Sequence, residues 1–190
     1  MLRTNLAFLD YIEGLYQLQL RKEDVLLKEF SAEQLLLQQG EQAAKVLVIK
    51  EGICKCFING GNDKDFIVEF LGEGEIVGEI EAIKDTLCLC NIKALTPVRA
   101  YAIAIPYFKS LLTSNLPFNN LLLDTFVKRI VNTSSRAAFQ QSHTLEHTLS
   151  KLLELLQQQG LLISKEDMAA YLGITLRSLN RALKKLNVAL

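Results

Sequence analysis

Apolar residues change their spacing along the chain, and each change predicts a different kind of element. Leu6, Leu9, Ile12, Leu15 and Tyr16 recur every three or four positions, which predicts a helix over residues 4–27. Between about residues 28 and 105 the apolar positions gather instead into short runs, at 35–37, 46–49, 53–58, 66–71 and 98–105. Glycine-containing breaks separate them: Gly40-Glu41, Asn59-Gly60-Gly61-Asn62, Gly72-Glu73-Gly74-Glu75 and Gly78-Glu79. Short strands at this spacing predict a sandwich, jelly roll or barrel. Asn59 to Asn62 reads as a hairpin turn, because Asn and Gly accept positive φ.

After Pro106 the helical period returns. Pro117 opens a long helix, to about Ser142, that carries Leu121, Leu122, Phe126, Ile130 and Val131 and then Ala137 and Ala138. Asn132-Thr133-Ser134-Ser135 interrupts its stripe. A helix this long with one apolar face needs a partner, and its twin in a homodimer is the simplest one. Leu149, Leu152, Leu153 and Leu156 mark a separate amphipathic helix that Gly160 ends. Ser164-Lys165-Glu166-Asp167 then has capping-box spacing before Met168, Ala169 and Leu172. Gly173-Ile174 turns the chain, and Thr175 caps a final helix to about Leu186. Leu176, Leu179, Ala182, Leu183 and Leu186 form its inward stripe, leaving Arg177, Ser178, Asn180, Arg181, Lys184 and Lys185 outside. Helix, Gly turn and basic second helix are the pattern of a DNA-binding helix-turn-helix. An ordinary αα-hairpin with a solvated charged face is the plain alternative.

Composition narrows this picture. The chain has 190 residues, 49% of them hydrophobic and 22% charged, which suits folded domains rather than disorder. No apolar run reaches the about 18 residues a membrane span needs, and the first residues lack a secretory pattern. Four cysteines do not make a disulfide scaffold, so reduced thiols and a cytoplasmic location are expected. The formal net charge of zero argues against nucleic acid until it is divided. Residues 51–85 hold nine acidic and three basic side chains, whereas residues 175–190 hold four basic ones and no acid.

The order of parts resembles the Crp/Fnr family of bacterial transcription regulators over nearly the whole chain. Val48-Ile-Lys-Glu-Gly52-Ile-Cys-Lys55 resembles the family's strand-and-Gly start. Phe70-Leu-Gly-Glu-Gly74-Glu-Ile-Val-Gly78-Glu79 resembles its L-x-x-G-x-x-x-G-E loop. The run from Lys165 through Gly173 and Thr175 to Arg181 resembles its helix-turn-helix. Val77-Gly-Glu-Ile-Glu-Ala-Ile83 is similar to the YeiL branch.

The resemblance implies an α+β fold: a cyclic-nucleotide-binding-like β-roll (a jelly roll), a long dimerisation helix and a C-terminal winged helix-turn-helix. Residues 1–116 would hold the initial helix and sensor roll, 117–144 the dimerisation helix and 145–190 the DNA-binding domain. Family members usually continue into a β-hairpin wing after this motif; here the wing is expected to be missing or lost by truncation. The resemblance also implies a palindromic duplex operator, a homodimer and contact with RNA polymerase. Leu176, Arg177 and Arg181 would face base edges, Thr175 and Ser178 the phosphates, and Lys184 extends the basic face. Leu176 stands where better-known members carry a polar base reader, so a different operator is expected.

The effector is less legible. Gly78-Glu79 matches the family's ribose-binding pair, but Cys88-Leu89-Cys90 falls where its phosphate-binding Arg-Ser-Ala belongs. An anionic phosphate in an apolar pocket needs a charge partner, and no cation lies on the motif, so cyclic AMP is not expected. Cys54 with Cys56, and Cys88 with Cys90, would each share a strand face. Burial in the core is the first expectation for them; zinc, an iron–sulfur cluster or a redox disulfide are the alternatives. His143 and His147 suit linker chemistry more than a metal site. No catalytic motif occurs, and an enzyme is not expected. The reading is a sequence-specific transcription regulator. The alternative is a redox, metal or small-molecule binding module whose helix-turn-helix makes only protein contacts.

Overall fold

In the computed structural model, which describes residues 2–61 and 64–188, the fold is mixed α+β. It begins with β1 (Leu2–Arg3), α1 (Leu6–Leu18), β2 (Val25–Phe30), β3 (Leu35–Leu37), β4 (Lys45–Glu51) and β5 (Cys54–Gly60). Then come β6 (Lys64–Leu71), β7 (Ile76–Val77), α2 (Glu79–Lys84), β8 (Asn91–Ala94) and β9 (Val98–Ala104). The rest is helical: α3 (Ile105–Ser114), α4 (Leu116–Ser142), α5 (Leu145–Gln158), α6 (Lys165–Leu172) and α7 (Leu176–Lys185).

The strands form two sheets, ordered β1-β6-β5-β8-β3 and β2-β9-β4-β7. β4 shows how the layers arise, because successive side chains point to opposite faces. Leu47 and Ile49 enter the core between the sheets with Leu71, Ile92, Val98 and Ala100. Val46 and Val48 point the other way, into a second core with Phe8, Ile12, Phe108 and Phe118 from the helices. A strand buried on both faces reads as a continuous apolar run, as this one does. A third core lies outside the other sheet, where Phe57, Ile67 and Phe70 meet Leu149, Tyr171, Leu179 and Leu183. The C-terminal helices therefore dock on the roll.

Two expectations are corrected. The first helix stops at Leu18 rather than near residue 27, because the Gln19 side chain bonds the Val25 backbone in both directions and starts β2 there. The period from Val25 to Leu27 is consecutive, not helical. Cys88 and Cys90 are not on a strand: they lie in the loop between α2 and β8, since the helix α2 uses the residues before them. His143 ends α4 and His147 belongs to α5, so the pair lies across the link between the two helices. The hairpin turn after Asn59 includes Asn62, which lies outside the described residues.

Candidate functional site

The helix-turn-helix is assembled from local signals. The Ser164 hydroxyl accepts a bond from the Asp167 amide at 3.0 Å and opens α6. Gly173 ends that helix in the left-handed region, at φ 68°, and its amide closes back on the Ala169 and Ala170 carbonyls. A side chain there would be strained. Thr175 accepts from the Ser178 amide at 3.2 Å and starts α7. Leu179, Ala182 and Leu183 are buried, while Arg177, Asn180, Arg181, Lys184 and Lys185 are exposed. Lys185 pairs with Glu146 at 2.7 Å, and no carboxylate among the described residues pairs with Arg177, Arg181 or Lys184. Leu176, expected on the inward stripe, is 39% exposed at the first turn of α7. The free amides of that turn and the basic side chains beside it form an anion-attracting edge.

This unit is fixed to the roll. Lys55 on β5 reaches Asp167 on α6 at 2.6 Å, with both side chains mostly buried. Arg136 on α4 lies over the Tyr171 ring at 4.6 Å and near Phe66, and donates to the Val68 carbonyl. Gln140 donates to the Tyr171 carbonyl at 3.3 Å. A cation over an aromatic face, partly desolvated, contributes about 1–2 kcal/mol.

The roll contains a cavity of about 90 Å³ lined by Arg3, Cys56, Glu69, Gly78, Glu79, Cys90 and Arg129 among others. Gly78 caps α2 with φ 84°, which directs Glu79 inward. Glu79 is 1% exposed, and Arg129 of α4 bonds its carboxylate. The same guanidinium reaches Glu75 at 3.0 Å and the Ile76 carbonyl, while Arg3 reaches Glu75 at 3.2 Å. Burial pushes the Glu79 carboxyl above its ordinary range even with Arg129 beside it. Burial acts to lower the Arg129 pKa, but the combined pull of Glu79 and Glu75 raises it.

The expectation that no cation serves this pocket is thus corrected: two arginines arrive from distant segments. The signal for Arg129 was the inward stripe of α4, which runs Phe118, Leu122, Thr125 and then Arg129. Arg3 carried no such signal, because it comes from a two-residue edge strand paired with β6.

The cysteines separate by environment rather than by sequence pair. Cys54 and Cys88 are buried in the inter-sheet core, whereas Cys56 and Cys90 line the cavity. Among the described residues, no three His, Cys, Asp or Glu side chains gather to hold a metal ion. The His143 and His147 rings stack at 4.8 Å beside Phe139 on the surface. No helix among the described residues is long and apolar enough to cross a membrane.

Residues 27–115 match the model of the cyclic nucleotide-binding domain. Regulatory protein YeiL of Escherichia coli O157:H7 is 24% identical over 157 residues, which span 82% of this chain and 72% of that protein. The chain is similar in structure to the c-di-GMP responsive global regulator CLP of Xanthomonas campestris, with a TM-score of 0.79 at 14% identity, covering 96% and 92% of the two chains. A putative Crp/Fnr-family regulator from Eubacterium rectale gives 0.76 at 15% identity, covering 96% and 83%.

Proposed function

From the premise that the chain is a Crp/Fnr-like regulator with a cyclic nucleotide-binding domain over residues 27–115, we propose that it binds duplex DNA through α7. The observation that carries the reading is the two-sided character of α7. One face is buried against α5 and α6, and the other presents Arg177, Arg181 and Lys184, none of which forms an ion pair with a carboxylate among the described residues. Arg177 and Arg181 are the candidate base readers, with Leu176 contributing apolar contact; Thr175, Ser178 and Lys184 position the phosphates. Thr175 and Ser178 already bond each other, so the phosphate contact falls to the amides they hold in place. A second copy would pair along the exposed strip of α4, where Leu116, Leu123 and Ile130 recur every seventh residue and Val127 lies between them. Such a twofold dimer would read a palindromic site and offer a surface to RNA polymerase.

We take the roll pocket to be closed to cyclic nucleotides. Glu79 is engaged by Arg129, the remaining space is about 90 Å³, and Cys88-Leu89-Cys90 offers no phosphate clamp. Ligand sites of this kind usually enclose about 300 Å³ or more. The pocket instead communicates with α7 along two routes. Arg129 and Arg136 lie two turns apart on α4, one in the cavity and one on Tyr171. On β5, Cys56 lines the cavity and the adjacent Lys55 holds Asp167. A change in the cavity would reset how the helix-turn-helix is held.

The test uses duplexes selected from a random library, with fluorescence anisotropy across a salt series. Log K should fall linearly with log[salt], by about 0.9 for each phosphate contacted. Arg181→Ala should cost about 1–3 kcal/mol on the selected site and little on random DNA. An equal loss on both would remove Arg181 from the base readers. A salt-independent interaction, or none, would refute DNA binding.

A further inference from the structure

The cavity wall brings together two thiols that DNA recognition does not use. Cys56 lies opposite Ile92 in the β5–β8 ladder. Cys90 comes two residues before Ile92, in the bend where the ladder has ended, and lines the same cavity as Cys56. Both line the cavity, together with Arg3 and Arg129. Two thiols on one cavity wall, at diagonal positions of neighbouring segments, are brought to disulfide geometry by a local movement of the bend that carries Cys90.

We propose that Cys90 and Cys56 form an oxidation site for hydroperoxides, with Cys90 the attacking thiolate and Cys56 the resolving thiol. The Cys90 sulfur attacks one peroxide oxygen and the O–O bond breaks. This gives a sulfenic acid on Cys90 and an alkoxide, or hydroxide, that leaves as alcohol or water with the Cys90 proton. Cys56 sulfur then attacks the sulfenic sulfur, the S–O bond breaks, and hydroxide leaves as water with the Cys56 proton. Two thiols lose two electrons in all, and the peroxide gains them.

The surroundings favour these roles. The neighbouring Cys56 thiol draws the Cys90 thiol below its ordinary range, although burial and Glu81 oppose it. Cys90 and burial push the Cys56 thiol up, so it stays protonated. The other two cysteines are unsuited: burial pushes the Cys54 thiol up to about 12, and burial with Glu81 also raises Cys88. Thiolates, not thiols, react with peroxide.

A bridge at Cys56 would pull on β5 next to Lys55, and so on the contact that holds α6. That regulatory consequence rests on the DNA-binding reading; the oxidation site does not.

The experiment treats the reduced full chain with hydrogen peroxide at about one equivalent, and the mass should fall by about 2 Da. Trypsin without reductant should then release residues 56–64, which contain Cys56, joined to residues 85–93, which contain Cys88 and Cys90. Cys88→Ser should keep this product, and Cys90→Ser and Cys90→Ala should both abolish it. In Cys56→Ser, dimedone should trap the sulfenic acid on residues 85–93. Circular dichroism should show each variant folded. A cross-link that survives Cys90→Ser, one that includes residues 51–55, an intermolecular product or unreacted thiols would overturn the site. On the selected duplex, oxidation should change affinity by about fivefold or more, reversed by dithiothreitol. Unchanged affinity with the cross-link in place would overturn the regulatory consequence alone, since the reduced protein's binding still reports on the DNA reading.

Discussion

Glu79 is a carboxylate placed where a carboxylate is costly, and Arg129 only partly offsets the burial. Its raised folded pKa fixes the sign of its linkage to stability. The protonated form is favoured in the folded state, so its contribution is fully present below the ordinary glutamate range and is lost as pH rises through the raised value. Glutamine has no such dependence. The stability of Glu79→Gln relative to the wild type should therefore rise as pH goes from about 4 to about 7. Denaturant midpoints at several pH values check this; a relative stability that falls over the interval would mean that Arg129 outweighs burial. The residue was legible in Gly78-Glu79, but its partner was not. Fifty residues of chain separate Glu79 from Arg129, and no local pattern encodes a contact at that range.

At the scale of the element, the caps and stripes carried the sequence reading of the C-terminal helices. Ser164 and Thr175 cap α6 and α7 as their spacing required, since an N-cap bond closes within three residues and needs no tertiary partner. Thr175→Ala should cost about 1 kcal/mol of stability, measured by chemical denaturation. On the proposed reading the loss in DNA affinity should exceed what that unfolding explains, because the capped turn holds the amides proposed to contact phosphate. Helix α4 is a harder case, because it shows two apolar faces. Phe118 and Leu122 pack in the helical core, whereas Leu123, Val127 and Ile130 are exposed. The sequence stripe merged the two, taking Leu121 and Leu122 with Ile130 and Val131.

Across the whole molecule, the proposed dimer would use that exposed strip as its seam. Its length and heptad spacing fit a second copy of α4. Ile130→Asp should shift the protein toward monomer in sedimentation velocity without lowering its thermal midpoint measured on the monomer. Affinity for a palindromic duplex should fall with it, while a half-site duplex is bound as before. An unchanged sedimentation coefficient would exclude α4 as the seam. The docked helix-turn-helix is the other large-scale feature. Lys55–Asp167, Arg136 on Tyr171 and the shared apolar core hold it on the roll, so a cavity event has a physical route to α7.

What the sequence by itself determined was everything set over short range. Alternating and consecutive apolar runs specified the roll, glycines with left-handed φ placed its turns and the helix-turn-helix break, and the basic face of α7 followed from helical period alone. Tertiary structure decided what depends on chain segments meeting. It closed the cavity with Arg3 and Arg129, and it divided the cysteines into a buried pair and a cavity pair. It also turned Lys55, an unremarked strand residue, into the link to Asp167. Periodicity reports which face of an element is buried, whereas which charge or thiol waits on the other side is fixed only by packing.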